Sequence, residues 1–126
     1  MTVEELYAIA LSFLSEVPRD QSTELNSFIV PWVNILLQEA LPYENSILRY
    51  EDKVELAEAP VVQNMSDKLF YHDSIVRSAF PYGLASWLFQ DDENDYRTEK
   101  YRNMYIAALN EAAKMTEESI ADGYGG

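Results

Sequence analysis

The chain has no cysteine. That excludes disulfide staples, thiolate metal sites and thiol nucleophiles, and it fits a protein made and assembled inside a cell. Glycine occurs four times, at Gly83 and among the last four residues. Neither a Gly-x-x-x-x-Gly-Lys nor a Gly-x-Gly-x-x-Gly phosphate loop is therefore present. Positive charge is scarce: 9 basic residues stand against 22 acidic ones, a net charge of −13. Such a surface repels a phosphate backbone and has little with which to release counterions, which argues against direct nucleic-acid binding. Long hydrophobic runs are missing as well. The longest, Phe28 to Leu37, is broken by Pro31 and Asn34 and is too short to cross a bilayer, so no membrane partner is expected. Met1-Thr2-Val3-Glu4-Glu5 lacks the basic start of a signal peptide, and a cytosolic site is expected.

What remains is apolar and aromatic. Hydrophobic residues make up 48% of the 126 residues, enough for one domain with a core. Nine tyrosines suit half-buried surfaces, where the ring packs and the hydroxyl stays wet.

Helical spacing recurs along the chain. Thr2-Val3-Glu4-Glu5 has the form of a capping box, and Leu6, Ile9, Ala10, Phe13 and Leu14 follow, giving a first helix over about Val3 to Ser15. Val17 to Ser22 reads as a polar connection. A second helix is expected from near Thr23–Asn26 to about Ala40. Its apolar face is Phe28, Ile29, Trp32, Val33, Leu36, Leu37 and Ala40. Pro31 should lie in its first turn and Pro42 should end it, with a short helical piece, Tyr43 to Tyr50, after a bend.

Glu51 to Met65, with Pro60 inside, is the least helical region. It is either a short β-hairpin or an extended arm, and it is the candidate for a segment that changes shape or reaches a neighbour. A third helix is expected over Asp73 to Gln90, burying Ile75, Val76, Ala79, Phe80, Leu84, Trp87 and Leu88. Pro81-Tyr82-Gly83 should kink it or admit a neighbouring backbone. Asp91-Asp92-Glu93-Asn94-Asp95 forms an acidic turn. Asp95 then caps a fourth helix that reaches about Ser119 and carries Tyr101, Met104, Tyr105, Ala108, Leu109 and Ala112. The fold expected is all-α, a small bundle of four main helices with an irregular or short β-hairpin excursion between helices two and three. Residues 1–120 form the single domain and residues 121–126 a flexible tail.

Few residue groups suggest chemistry. His72, beside Asp73 at a helix start, reads as a surface or capping neighbour; a catalytic role would need a nucleophile or a second proton carrier nearby, and no Gly-x-Ser-x-Gly signature is present. The acidic turn fails as a calcium loop: counted from Asp92, position six is Arg97 and position twelve is Asn103, where glycine and glutamate are needed. No Glu-x-x-His pairing for a carboxylate-bridged metal is present. No catalytic, cofactor or metal residue is assigned, and no enzyme is expected. Tyr82 and Phe89 are placed on the less buried side of the third helix. With Tyr101, Arg97 and Arg102 they are the candidate self-association or partner contacts, the arginines pairing with an acidic neighbour.

Ile35-Leu36-Leu37-Gln38-Glu39-Ala40, Glu44 to Arg49, Ala59-Pro60-Val61-Val62, Tyr71 to Val76, Pro81-Tyr82-Gly83-Leu84-Ala85 and Asp91-Asp92 follow one another in an order that resembles small structural proteins of tailed bacteriophages. The type is the head-to-tail connector, or neck adaptor. The resemblance covers roughly Ile29 to Leu109. It implies a non-enzymatic helical subunit that assembles as a ring at the portal of a phage or prophage head. Its partners would be copies of itself and portal or tail proteins. It would assemble in the bacterial cytoplasm and end in the virion neck. Two departures stand out: the C-terminal tail is short for gripping a portal, and the charge is extreme. The alternative function is a small acidic helical module that docks on a protein, as a regulator or DNA mimic.

Overall fold

In a computed structural model the chain is helical throughout its main elements. The structure describes residues 1–14 and 21–125, and the side chains of residues 1–14 and 27–114. The elements are α1 (Val3–Phe13), α2 (Gln21–Tyr50), the single turn α3 (Asp73–Val76), α4 (Phe80–Asp91) and α5 (Asp95–Gly125). The all-α class with four main helices is as expected, but no β-hairpin forms. Among the described residues the only β-type pairing is an isolated antiparallel bridge between Thr2 and Lys68.

Helix α1 begins as its capping box predicts: the Thr2 hydroxyl accepts from the Glu5 N–H at 3.2 Å. Its buried stripe is Val3, Leu6, Tyr7, Ala10 and Leu11, so Ile9 faces outward and Tyr7 takes the place expected of it. The chain before the helix sets that rotation. Leu69 N–H donates to Met1 C=O, Val3 N–H to Asp67 C=O and Glu4 N–H to Met65 C=O, which pins the first turn against residues 65–69.

Helix α2 runs unbroken through both prolines, correcting the expected stop at Pro42 and the expected start near Pro31. Each proline removes one backbone donor and crowds the preceding turn. Pro31 and Pro42 are eleven residues apart, three turns, so they lie on one face, and that face is exposed. Water can serve the carbonyls left there, while the opposite face buries Ile29, Val33, Leu36, Leu37, Ala40 and Ile47. Burial on both sides of each proline outweighs the lost bond.

The expected third helix is two helices. Arg77, Ser78 and Ala79 form turns, and α4 restarts at Phe80 with Pro81 in its first turn, where a missing N–H is harmless. Gly83 admits side chains and not a neighbouring backbone. A Cβ there would lie 2.7 Å from Leu36 Cδ2 and 3.0 Å from Tyr105 Cδ1. Leu36 on α2 and Tyr105 on α5 thus meet α4 at its one residue without a side chain.

The hairpin of α4 and α5 is the packed centre. Phe80, Leu84, Ala85 and Leu88 face Tyr105, Leu109 and Ala112, all buried. Trp87, expected in the core, is only half-buried and lies against Trp32, ring centres 6.0 Å apart. Asn94, and not Asp95, caps α5 through its side-chain oxygen, which accepts from Arg97 N–H at 3.1 Å. Helix α5 continues past the expected end near Ser119. The expected tail, residues 121–126, falls where side chains lie outside the described residues, with Gly126 outside altogether.

The two corners that leave α2 and α4 are built alike. Asp52 (φ 59°) and Glu93 (φ 57°) adopt the left-handed conformation. The following N–H groups, of Lys53 and Asn94, reach back to the carbonyls of Leu48 (2.8 Å) and Phe89 (3.0 Å). These are Schellman-type ends with an acid where glycine is usual.

Candidate functional site

Between α2 and α3 lies the segment read from sequence as an arm. It runs back along α2 and is held by two asparagines. The Asn45 amide donates to Leu56 C=O at 2.9 Å, and Leu56 N–H donates to Asn45 Oδ1 at 2.7 Å. The Asn34 amide donates to Val62 C=O at 2.9 Å, and Val62 N–H donates to Asn34 Oδ1 at 2.8 Å. Each side-chain amide thus pairs with one arm residue as a neighbouring strand would. Eleven helical residues separate the asparagines, about 16 Å at 1.5 Å per residue. Six arm residues cover that span, short of the extended limit of about 3.3 Å each, because the chain bends at Ala57 and Glu58. The arm therefore runs antiparallel to α2 as two straighter pieces on either side of that bend.

A charged clasp closes its base. Glu44 on α2 is 3% exposed. It accepts from His72 Nδ1 at 2.9 Å and from the His72 backbone N–H at 2.8 Å. His72 Nε2 lies 2.7 Å from Glu51, which also pairs with Lys53 at 3.4 Å. Burial pulls the imidazole down, but the two carboxylates together outweigh it and hold His72 above its ordinary value. The hydrogen bond from His72 holds Glu51 below the usual carboxylate value. Beside the clasp the Tyr71 hydroxyl donates to Leu37 C=O at 2.7 Å. Burial first, and then Glu44, push that hydroxyl's pKa up. Both imidazole nitrogens are occupied by carboxylates, so His72 ties the first and last residues of the arm to α2. This is more than the surface or capping neighbour expected. His72 does stand at the start of α3, but its side chain caps nothing. Glu44 and Glu51 are 28 and 21 residues away, and no local motif links them to His72. Among the described residues no group of three or more His, Cys, Asp or Glu is arranged to hold a metal ion.

The arm carries apolar side chains that nothing in the described chain covers. Val54 is 90% exposed, Val61 71% and Phe70 81%. Leu37, Pro60, Val61, Val62, Leu69 and Phe70 line a groove of about 440 Å³ beside it, with Ser66, Asp67 and Lys68 at the polar side. The Asp67 carboxylate is committed to the turn, accepting from Gln63 and Asn64 N–H, which lowers its pKa. A second apolar stripe lies on α2 at helical spacing: Phe28 and Ile35 are exposed and Trp32 between them is half-buried, with Phe28 stacked on Trp32 at 5.9 Å.

The five residues expected at an interface are engaged within the chain. Phe89 is 3% exposed, so it does not lie on the less buried side expected of it. Its ring meets Tyr101 at 5.0 Å, and the Arg97 guanidinium lies over it, 5.5 Å from the ring centre. Tyr82 stacks on Phe13 at 5.3 Å, and both touch Tyr101. Arg102 forms a two-pronged ion pair with Glu39 and covers the Tyr105 ring, a contact within the chain. Arg97 remains exposed, and Tyr82 and Tyr101 are half-buried. The acidic turn, Asp91 to Glu93, points into solvent as expected.

No helix among the described residues is long and apolar enough to cross a membrane. No protein family, curated protein or solved structure matches the chain.

Proposed function

We propose that this chain is a non-enzymatic structural subunit, a head-to-tail connector of a tailed phage or prophage that assembles as a ring at the portal. The observation that carries the reading is a pair of apolar surfaces left uncovered among the described residues, the arm and the Phe28–Ile35 stripe beside Trp32. On the α2 wheel the stripe and the two asparagines that carry the arm are roughly 120° apart, so these are different surfaces. A subunit that touches both its own copies and a second protein needs two such faces. In this reading the α2 stripe meets the neighbouring copy, with Tyr82, Tyr101 and Arg97 at the edge of that contact. The arm reaches the portal or tail protein, and the acidic surface lines a path along which DNA passes without sticking. The polar ties of the arm support the reading too, since they hold it outward without burying it.

Sedimentation of the purified protein, alone and with portal protein, tests this. Self-association or portal binding that Ile35→Ser or Phe28→Ser abolishes is expected, and both sites are exposed enough to leave the fold intact. A monomer at high concentration that ignores portal protein would sink it.

The rival, an acidic docking module, draws on the charge. Arg49, Lys53, Arg77 and Arg102 are spent on ion pairs within the chain, against a net −13. Salt-sensitive capture of a basic nucleic-acid-binding protein by a monomeric chain would favour it.

A further inference from the structure

We infer that the arm is an edge for strand addition, and that its occupant is an extended, basic segment of another protein. Leu56 and Val62 turn both backbone groups toward α2, where the asparagines hold them. On the straighter pieces either side of the bend at Ala57 and Glu58, the neighbours of such residues turn theirs the opposite way. Glu55, Ala59 and Val61 therefore present N–H and C=O groups outward. Among the described residues these groups have no hydrogen-bond partner. Pro60, which has no N–H to give, stands on the α2-facing parity with Val62, so the outward edge loses no donor to it. A row of unpaired backbone groups is a template for one kind of ligand, another extended backbone. The groove beside Val61 and Phe70 gives alternate side chains of that ligand an apolar seat.

The charge selects among extended chains. Residues 51–62 hold Glu51, Asp52, Glu55 and Glu58; Glu51 is shared with His72 and Lys53 and Glu55 with Arg49, which leaves the exposed carboxylates of Asp52 and Glu58 to face a ligand. A second copy of this arm would bring the same charge and be repelled. A lysine- or arginine-bearing segment gains at each step. The inference does not rest on ring formation, because a monomer offers the same edge.

The probes are three labelled heptapeptides added to the full chain. One alternates lysine and valine, one alternates glutamate and valine, and one is the lysine–valine peptide N-methylated at every second residue. The first should bind at least tenfold more tightly than either other, and amide hydrogen exchange at Val61 and Ala59 should slow on binding. Val61→Pro removes an outward N–H while leaving Val62 on Asn34, and should weaken binding about tenfold with an unchanged melting curve. Glu58→Lys, at an exposed site, should weaken it in a salt-dependent manner. Equal binding of the N-methylated peptide, arm amides that exchange as before, or no binding of any peptide would each overturn the inference. Sedimentation of the same samples reports separately on self-association.

Discussion

The α4–α5 hairpin and the arm are held to the same helix by opposite means. Around Gly83, α4, α5 and α2 meet through Phe80, Leu84, Leu36 and Tyr105, with hardly a polar atom between them. The arm touches α2 through two amides, the Arg49–Glu55 ion pair, the Tyr71 hydroxyl and one charged clasp, and leaves most of its side chains in water. Apolar contact is distributed, so the hairpin fails only as a whole. Polar ties are few and discrete, so the arm can be released one point at a time without unfolding the rest.

That contrast can be broken most sharply at Phe80. Phe80→Ala should remove about 3–5 kcal/mol of global stability in a denaturant melt, because its ring is wholly buried. Gly83→Ala should cost about 1–3 kcal/mol, since the new methyl presses on Leu36 and on the stiff Tyr105 ring. A neutral result there would mean that the junction is looser than its distances say.

The clasp sharpens the comparison through pH. His72 is raised in the folded state, so its contribution is complete below the ordinary value of 6.5 and fades as pH rises through the raised one. Glu51 is lowered, so its contribution is complete above the ordinary value of 4.5 and fades as pH falls through the lowered one. The clasp is therefore strongest between those two values. His72→Gln should flatten the fall in stability on the alkaline side, and melts at several pH values would show it. An unchanged pH profile would remove His72 from the account.

Asn34→Ala and Asn45→Ala should each cost about 1 kcal/mol, and the loss should be local. Amide exchange near Val62 or Leu56 should quicken while the α4–α5 hairpin stays protected. Equal acceleration everywhere would erase the distinction between the two regions. The smallest effect is a gain. Glu93→Gly relieves a left-handed glutamate and should add roughly 0.5–1 kcal/mol, read as a higher melting temperature.

Periodicity made the hairpin legible in sequence, because Phe80, Leu84, Leu88, Tyr105 and Leu109 recur at helical spacing and are buried together. It misplaced two things for a physical reason each. Pro42 looked like a stop because sequence does not show that its face is the wet one. Ile9 looked buried because the pairing of Met1 and Val3 with residues 67–69 rotates α1. The arm was legible as a departure from helix, but not its ties. Asn34, Asn45 and Glu44 sit within a helical stretch, and their partners lie 11 to 28 residues along the chain. Spacing alone does not reveal that Phe89 packs against Tyr101 or that Arg102 pairs with Glu39.

The asparagine grips touch only main-chain atoms at Leu56 and Val62. They are blind to what side chain those residues carry, and only proline would deny them a donor. Randomising positions 54, 57, 58 and 61 should therefore change what the chain displays while the loop keeps its path. The segment is mounted so that its outward lettering can be rewritten freely, and new binding specificities can be selected on it without rebuilding the scaffold.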